Sequence, residues 1–250
     1  MKHFAVITGA ASGIGRATAD IFIHHHVPVA LIDTNEEQLN ELKQANPHRT
    51  ILVYKGDVSN HKEMERIFSS IRTYTSSIST LFANAGINGK VTSIEAFHPD
   101  EWDQTIQTNL RGTFLTVKHA IPFMKNHGGS IILTSSVNGT RTFSNIGMSA
   151  YSASKAGIAA FGKMAALELS SYHIRVNTLC PGAINTSIDE RTYRDDAALE
   201  NLTFKKETSP FPVPAADPSE VANTVYFLSS PEAKHISGTE IVIDAAQTLL

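Results

Sequence analysis

Cysteine is almost missing from this chain: Cys180 is the only one in 250 residues. An internal disulfide is therefore excluded, a thiolate metal cage has no ligand set, and a reducing cytoplasm is the expected compartment. Charge of one sign is not in excess either, with 21 Lys and Arg against 24 Asp and Glu for a net charge of −3. The basic residues are scattered, so neither nucleic acid nor an anionic membrane is expected as a partner. No apolar run approaches the ~20 residues of a membrane span. The run at the N-terminus, Phe4 to Thr8, passes straight into glycines and is too short for a signal segment. What remains is a chain of 42% hydrophobic residues, enough to bury a sizeable core in one domain over 1–250.

The chemistry concentrates at Tyr151-Ser152-Ala153-Ser154-Lys155. A phenol and an ammonium four residues apart share one helix face, and the ammonium favours the phenolate, which makes the pair an acid/base device. Upstream, the apolar strand Ser130 to Thr134 ends in Ser135-Ser136, so a hydroxyl stands at the C-terminal strand edge where ligands bind. Ser136 can hold a substrate oxygen there while Tyr151 moves its proton.

The N-terminal strand leads into Gly9-Ala10-Ala11-Ser12-Gly13-Ile14-Gly15 and then an apolar helical stripe at Ala17, Ile21 and Phe22. Strand, glycine loop and helix in that order suit a pyrophosphate, because backbone N–H groups and the helix dipole meet its charge. At the end of that helix, His24-His25-His26 lacks nearby cysteine or carboxylate, so a solvated terminus is expected and no metal, with His26 where a C-cap glycine is common. Strand Val29 to Ile32 delivers Asp33, at the separation where a carboxylate meets the adenosine ribose. Its charge repels a 2′-phosphate by about 4 kcal/mol at 4 Å and an effective dielectric of 20. NAD is therefore expected over NADP, and Ser12 offers no positive charge to reverse the preference.

Strands and helices then alternate: helix Glu36 to Ala45, strand Thr50 to Tyr54, helix Lys62 to Arg72, strand Thr80 to Ala83. Alternation implies right-handed crossovers and a doubly wound parallel α/β sheet. One helix is expected from Pro99 to Lys125, with Trp102, Ile106, Leu110, Phe114, Val117 and Ile121 spaced for burial and Asn109 interrupting them. The Tyr151 helix carries a small-residue face suited to another helix or subunit. Strand Ile174 to Leu179 gives Cys180-Pro181-Gly182, with the cysteine as a small buried residue. From 183 to 216 strand character is lost and Asp189, Glu190, Arg191, Tyr193, Arg194, Phe204 and prolines 210, 212 and 214 suggest a substrate lid. Order resumes with a helix capped at Asp217-Pro218-Ser219-Glu220 and a last strand, Glu240 to Ile243.

With these residues assembled, the chain resembles the short-chain dehydrogenase/reductase family, through Thr8-Gly9-x-x-x-Gly13-x-Gly15, Asn84-Ala85-Gly86, Asn109, Ser136, Tyr151-x-x-x-Lys155 and Pro181-Gly182. The resemblance implies a single Rossmann-like domain with a seven-stranded sheet and a nicotinamide cofactor along the strand edges. It makes Tyr151 the general acid/base, Ser136 the group that polarises the substrate oxygen, and Lys155 a ligand of the nicotinamide ribose. Asn109 would hold a water in the proton relay. It further implies Asp57 and Val58 at the adenine, Asn84, Ala85 and Gly86 on the ribose side, and Ile184 and Thr186 at the carboxamide. A homotetramer is implied too.

Two departures from the family pattern stand out. Ser136 and Tyr151 are wider apart than usual, so the loop Thr140 to Ser149 should bulge, and Asp244-Ala245-Ala246 stands where Asp-Gly-Gly is common. The expected activity is NAD-dependent interconversion of a secondary alcohol, polyol-like or sugar-like, with its ketone. The alternatives are an NADPH-linked 3-oxoacyl-carrier-protein reductase and a dinucleotide sensor without turnover. Asp33 speaks against the first of these, and the intact catalytic residues against the second.

Overall fold

The computed structural model describes residues 3–143, 145–188, 192–200, 202 and 214–249. Strand β1 (Ala5–Thr8), helix α1 (Gly13–His24), β2 (Val29–Asp33), α2 (Glu36–Ala45), β3 (Ile51–Lys55), α3 (His61–Tyr74) and β4 (Thr80–Ala83) alternate as expected. After them come β5 (Lys90–Val91), α4 (Pro99–Ile106), a π-helical turn (Gln107–Arg111), α5 (Gly112–Met124) and β6 (Gly129–Thr134). The chain continues through α6 (Ser149–Leu169), β7 (Ile174–Pro181), β8 (Tyr193–Arg194), α7 (Asp196–Leu199), α8 (Pro218–Ser229) and β9 (Glu240–Ile243).

Seven strands form one parallel sheet in the order β3-β2-β1-β4-β6-β7-β9. Every residue of β1 and β4 is buried, because helices cover both faces and the strands must be apolar on both sides. One core, with Met64, Ile67, Leu115 and Ile158, lies under α3, α5 and α6. The other, with Phe22, Leu39, Val221 and Val225, lies under α1, α2 and α8. The chain runs outward in opposite directions from β1 and β4, so a crevice opens between their C-terminal ends.

At the end of α1, His26 takes the left-handed conformation (φ 60°) expected of a C-cap glycine, and His25 stacks on Tyr226. Two expectations need correction. The segment is helical without interruption from Pro99 to Met124, as expected, but the π turn at Gln107–Arg111 re-aims the faces after it. The buried side is Thr105, Asn109, Thr113, Thr116, Val117 and Ala120, whereas Phe114, expected inside, is 46% exposed. The small residues of α6 pack against a neighbouring helix as expected, and against the sheet as well: a Cβ on Gly157 would lie 2.9 Å from Leu110 Cδ2 of the π turn, and one on Gly162 2.3 Å from Thr178 Oγ1 of β7. Lastly, the 183–216 stretch does carry a strand, since β8 pairs in parallel with β5. Ala183 and Ala216 bond at 2.9 Å and close the base of this excursion. Asp189, Glu190, Arg191, Phe204, Pro210 and Pro212 lie outside the described residues.

Candidate active site

The glycine loop lies at the crevice. At Gly15 a Cβ would fall 1.9 Å from the Gly9 carbonyl oxygen, so no side chain can be accommodated there. Gly13, at φ +53°, sits against Thr186, whose Cγ2 would be 3.1 Å from a Cβ. Ser12 is the N-cap of α1 but makes no side-chain capping bond, and the first turn holds no acidic residue. An N-terminal turn with uncapped N–H groups, beside a cradle that a single methyl would fill, fits a dinucleotide pyrophosphate. Ile14 packs into the core beneath, its carbonyl bonded by Thr18 Oγ1 at 2.8 Å.

Asp33 ends β2 at the rim of this loop. Its Oδ2 accepts the Ala11 N–H and its Oδ1 the Asn35 N–H, each at 3.0 Å, so the carboxylate is fixed in direction by two backbone donors. Among the described residues it makes no ion pair. At the end of β3, Asp57 Oδ1 accepts both the N–H and the hydroxyl of Ser59 at 2.8 Å. Val58 is buried against Gly112 at the start of α5. Asn84 is tied down by its side chain: Nδ2 donates to the Thr8 carbonyl at 3.3 Å and Oδ1 accepts from Thr134 Oγ1 at 3.1 Å. That leaves Ala85 and Gly86 to present backbone to the crevice, with the Ala85 N–H held by Thr8 Oγ1 at 3.2 Å. Across the sheet, the Pro181 carbonyl accepts from Val137 and the Gly182 N–H donates to Ile243, which sets the start of the segment carrying Ile184 and Thr186.

The proposed reaction centre is assembled from β6, the π turn and α6. Lys155 is buried, its Nζ donating to the Thr134 carbonyl at 2.9 Å and lying 5.5 Å from the centre of the Tyr151 ring. Burial pushes the Lys155 ammonium down from 10.5 to about 8, with nearby Cys180 opposing the fall. Asn109 is fully enclosed. Its Oδ1 accepts the Ile87 N–H at 2.8 Å, and its Nδ2 donates to the Ile87 carbonyl and to Ser154 Oγ, both at 2.9 Å. A Cβ on Gly86 would lie 3.1 Å from Asn109 Oδ1 and 3.4 Å from Lys155 Nζ, which puts Gly86, Asn109 and Lys155 around one point. Ser136 is 8% exposed, and its Oγ accepts the Asn138 N–H at 3.1 Å.

Several residues of this centre escape a reading of the sequence. Ser135 Oγ donates to the Lys155 carbonyl at 2.7 Å and Ser154 Oγ to the Tyr151 carbonyl at 2.7 Å, so both hydroxyls fasten α6 beneath the acid/base pair. The doublet Ser135-Ser136 and the Ser154-Lys155 neighbourhood were the available signals. Thr8 opens the glycine motif and Thr134 ends the β6 run, but nothing in the sequence marks Asn138. Among the described residues no group of three or more His, Cys, Asp or Glu is placed to hold a metal, and no helix is long and apolar enough to cross a membrane.

Beside the N-terminus of α6 opens a cleft of about 460 Å³ whose apolar wall is Ile94, Phe143, Ile146, Met148 and Leu202, with Glu95 at its side. The loop between β6 and α6 folds tightly, the Val137 carbonyl accepting from Thr140, Arg141 and Thr142.

A family profile described as Enoyl-(Acyl carrier protein) reductase matches residues 9–246. Levodione reductase of Leifsonia aquatica is 32% identical, over 97% of this chain and 93% of its own length. A solved structure described as a 3-ketoacyl-ACP reductase from Sinorhizobium meliloti 1021 superposes with a TM-score of 0.90 at 36% identity, covering 98% of this chain and 99% of the other. Another, a 3-oxoacyl-[acyl-carrier protein] reductase with bound NAD from Brucella melitensis, does so with a TM-score of 0.80 at 30% identity, covering 97% and 90%.

Proposed function

The chain belongs to the short-chain dehydrogenase/reductase family, an oxidoreductase family, and on that footing we propose that it is an NAD-dependent enzyme interconverting an uncharged secondary alcohol and its ketone. Asp33 carries the cofactor half of this reading. A 2′-phosphate would have to approach a carboxylate already oriented by Ala11 and Asn35, with no ion pair among the described residues to dilute its charge. The bound nicotinamide supplies or accepts the hydride. Tyr151 moves the proton at the substrate oxygen, and Ser136 donates a hydrogen bond to that oxygen as its charge changes. Lys155, close to half-charged near pH 8, stands beside the phenol and favours its ionised form.

The wall of Ile94, Phe143, Ile146, Met148 and Leu202 moves the substrate from the polyol or sugar expected from sequence toward an apolar ring or chain. The likeness to levodione reductase agrees with this choice.

The second reading, a 3-oxoacyl-carrier-protein reductase, is favoured by the Sinorhizobium and Brucella likenesses. NAD use does not separate the two, because the Brucella protein is described with NAD bound. Charge favours the first reading. His127 and Tyr172, just past the ends of α5 and α6, carry no fixed positive charge to steer an acidic carrier. Arg175, the nearby candidate to replace them, spends its guanidinium on the carbonyls of Leu228, Ser230 and Ile236, and Lys125 Nζ lies 4.9 Å over the Tyr172 ring. Glu95 at the cleft adds repulsion.

A panel of levodione, cyclohexanol, mannitol and a carrier-bound 3-oxoacyl substrate, run with both cofactors, tests the proposal. NAD should exceed NADP by at least about a hundredfold in kcat/KM, equivalent to ~2.7 kcal/mol, and Asp33→Ser should narrow the gap. Equal efficiencies, or fastest turnover of the carrier-bound substrate, would overturn it.

A further inference from the structure

We propose that Asn138 is a positioning residue that holds the Ser136 hydroxyl in register with Tyr151, an inference that rests on the acid/base reading given above. Ser136 follows β6 and Tyr151 lies in the first turn of α6, so the loop between them must fix their separation. Asn138 is the residue that spans the gap. It is buried, its backbone N–H donates to Ser136 Oγ at 3.1 Å, and its side chain reaches the helix. There its Oδ1 accepts from Ser152 Oγ at 3.2 Å and its Nδ2 donates to Met148 Sδ at 3.4 Å, one contact on either side of Tyr151 in the chain.

Two consequences follow from that geometry. The Asn138 N–H occupies a lone pair of the Ser136 oxygen, so the hydroxyl hydrogen is turned away from Asn138 and serves as the donor to a substrate oxygen. The side-chain bonds, meanwhile, make the position of that oxygen a function of where α6 stands. Gly139 allows the close seat: at φ +114°, a Cβ there would lie 2.5 Å from the Ser152 carbonyl oxygen. Misplacement of a catalytic group by ~1 Å costs on the order of a hundredfold in rate.

The test is a double-mutant cycle of Asn138→Ala and Ser136→Ala, assayed with NADH and the panel ketone of highest kcat/KM, with NADH affinity followed by fluorescence. Asn138→Ala should lower kcat by about ten- to a hundredfold with NADH affinity unchanged. In the Ser136→Ala background the same change should cost nothing further, because Asn138 acts through that hydroxyl. A purely structural role would instead multiply the two losses, and that result, or wild-type kcat in Asn138→Ala, overturns the Asn138 role alone. Should Asn138→Ala fail to fold, Ser152→Ala cuts the same clamp from the helix side and enters the same cycle. An undiminished kcat in Ser136→Ala would overturn the acid/base reading itself, and the Asn138 role with it.

Discussion

Lys155→Met should make the unliganded protein more stable at neutral pH while disabling it. Burial lowers the Lys155 ammonium from 10.5 to about 8, so the folded chain carries a charge it holds less willingly than the unfolded chain does. That fall corresponds to about 3 kcal/mol of stability forgone below pH 8. Between pH 8 and 10.5 the unfolded state binds the proton and the folded state has released it, so wild-type stability from this group rises with pH. Methionine fills a similar volume without the charge, but it gives up the 2.9 Å bond from the charged amine to the Thr134 carbonyl, worth about 2 kcal/mol. The net expectation is a variant more stable by about 1 kcal/mol at pH 7, an advantage that shrinks above pH 8 and reverses before pH 10.5. Urea denaturation of both apoproteins, at one protomer concentration across this range, measures the difference. A variant less stable at pH 7, or a gap that does not change with pH, would refute the reasoning.

Two further outcomes follow from the structure. Ala245 and Ala246 both hold positive φ, 47° and 65°, in a turn secured by Asp244, whose carboxylate accepts from the Ala246 and Thr248 N–H groups. Changing either alanine to glycine should raise stability by about 1 kcal/mol, seen as a higher Tm, and an unchanged or lower Tm would show that the turn is unstrained. The outer face of α5 and α6 leaves Phe114, Met164 and Leu167 46%, 55% and 70% exposed, which suits assembly into the expected homotetramer. Light scattering should find a species well above 27.1 kDa, and a monomer at micromolar concentration would contradict this.

Much of the architecture was legible because it rests on local signals that agree. The fully buried β1 and β4 read as apolar runs, Pro218 and Asp217 mark the start of α8, and the glycine loop announces the crevice. The left-handed His26 was legible from its place after the last turn of α1. The π turn at Gln107–Arg111 was not, because one extra residue in a helix shifts the inward face without disturbing the spacing of Trp102, Ile106, Leu110 and Phe114 in the chain. Nor was the pairing of Lys90–Val91 with Tyr193–Arg194, since two-residue strands a hundred residues apart have no periodicity to detect. At the site, Ser136, Tyr151 and Lys155 declare themselves by residue type and spacing. Asn138 and Thr134 matter through a buried side-chain bridge and a backbone carbonyl, which residue type alone does not reveal.

The most direct test of the central claim, that Tyr151 transfers the proton in an NAD-dependent reaction, is the kcat of Tyr151→Phe with NADH and the best ketone of the panel. Removing the hydroxyl deletes the transferable proton while keeping the ring, so NADH affinity should stay near wild type while kcat falls by at least about a hundredfold. A Tyr151→Phe enzyme that binds NADH and turns over at the wild-type rate would contradict the account.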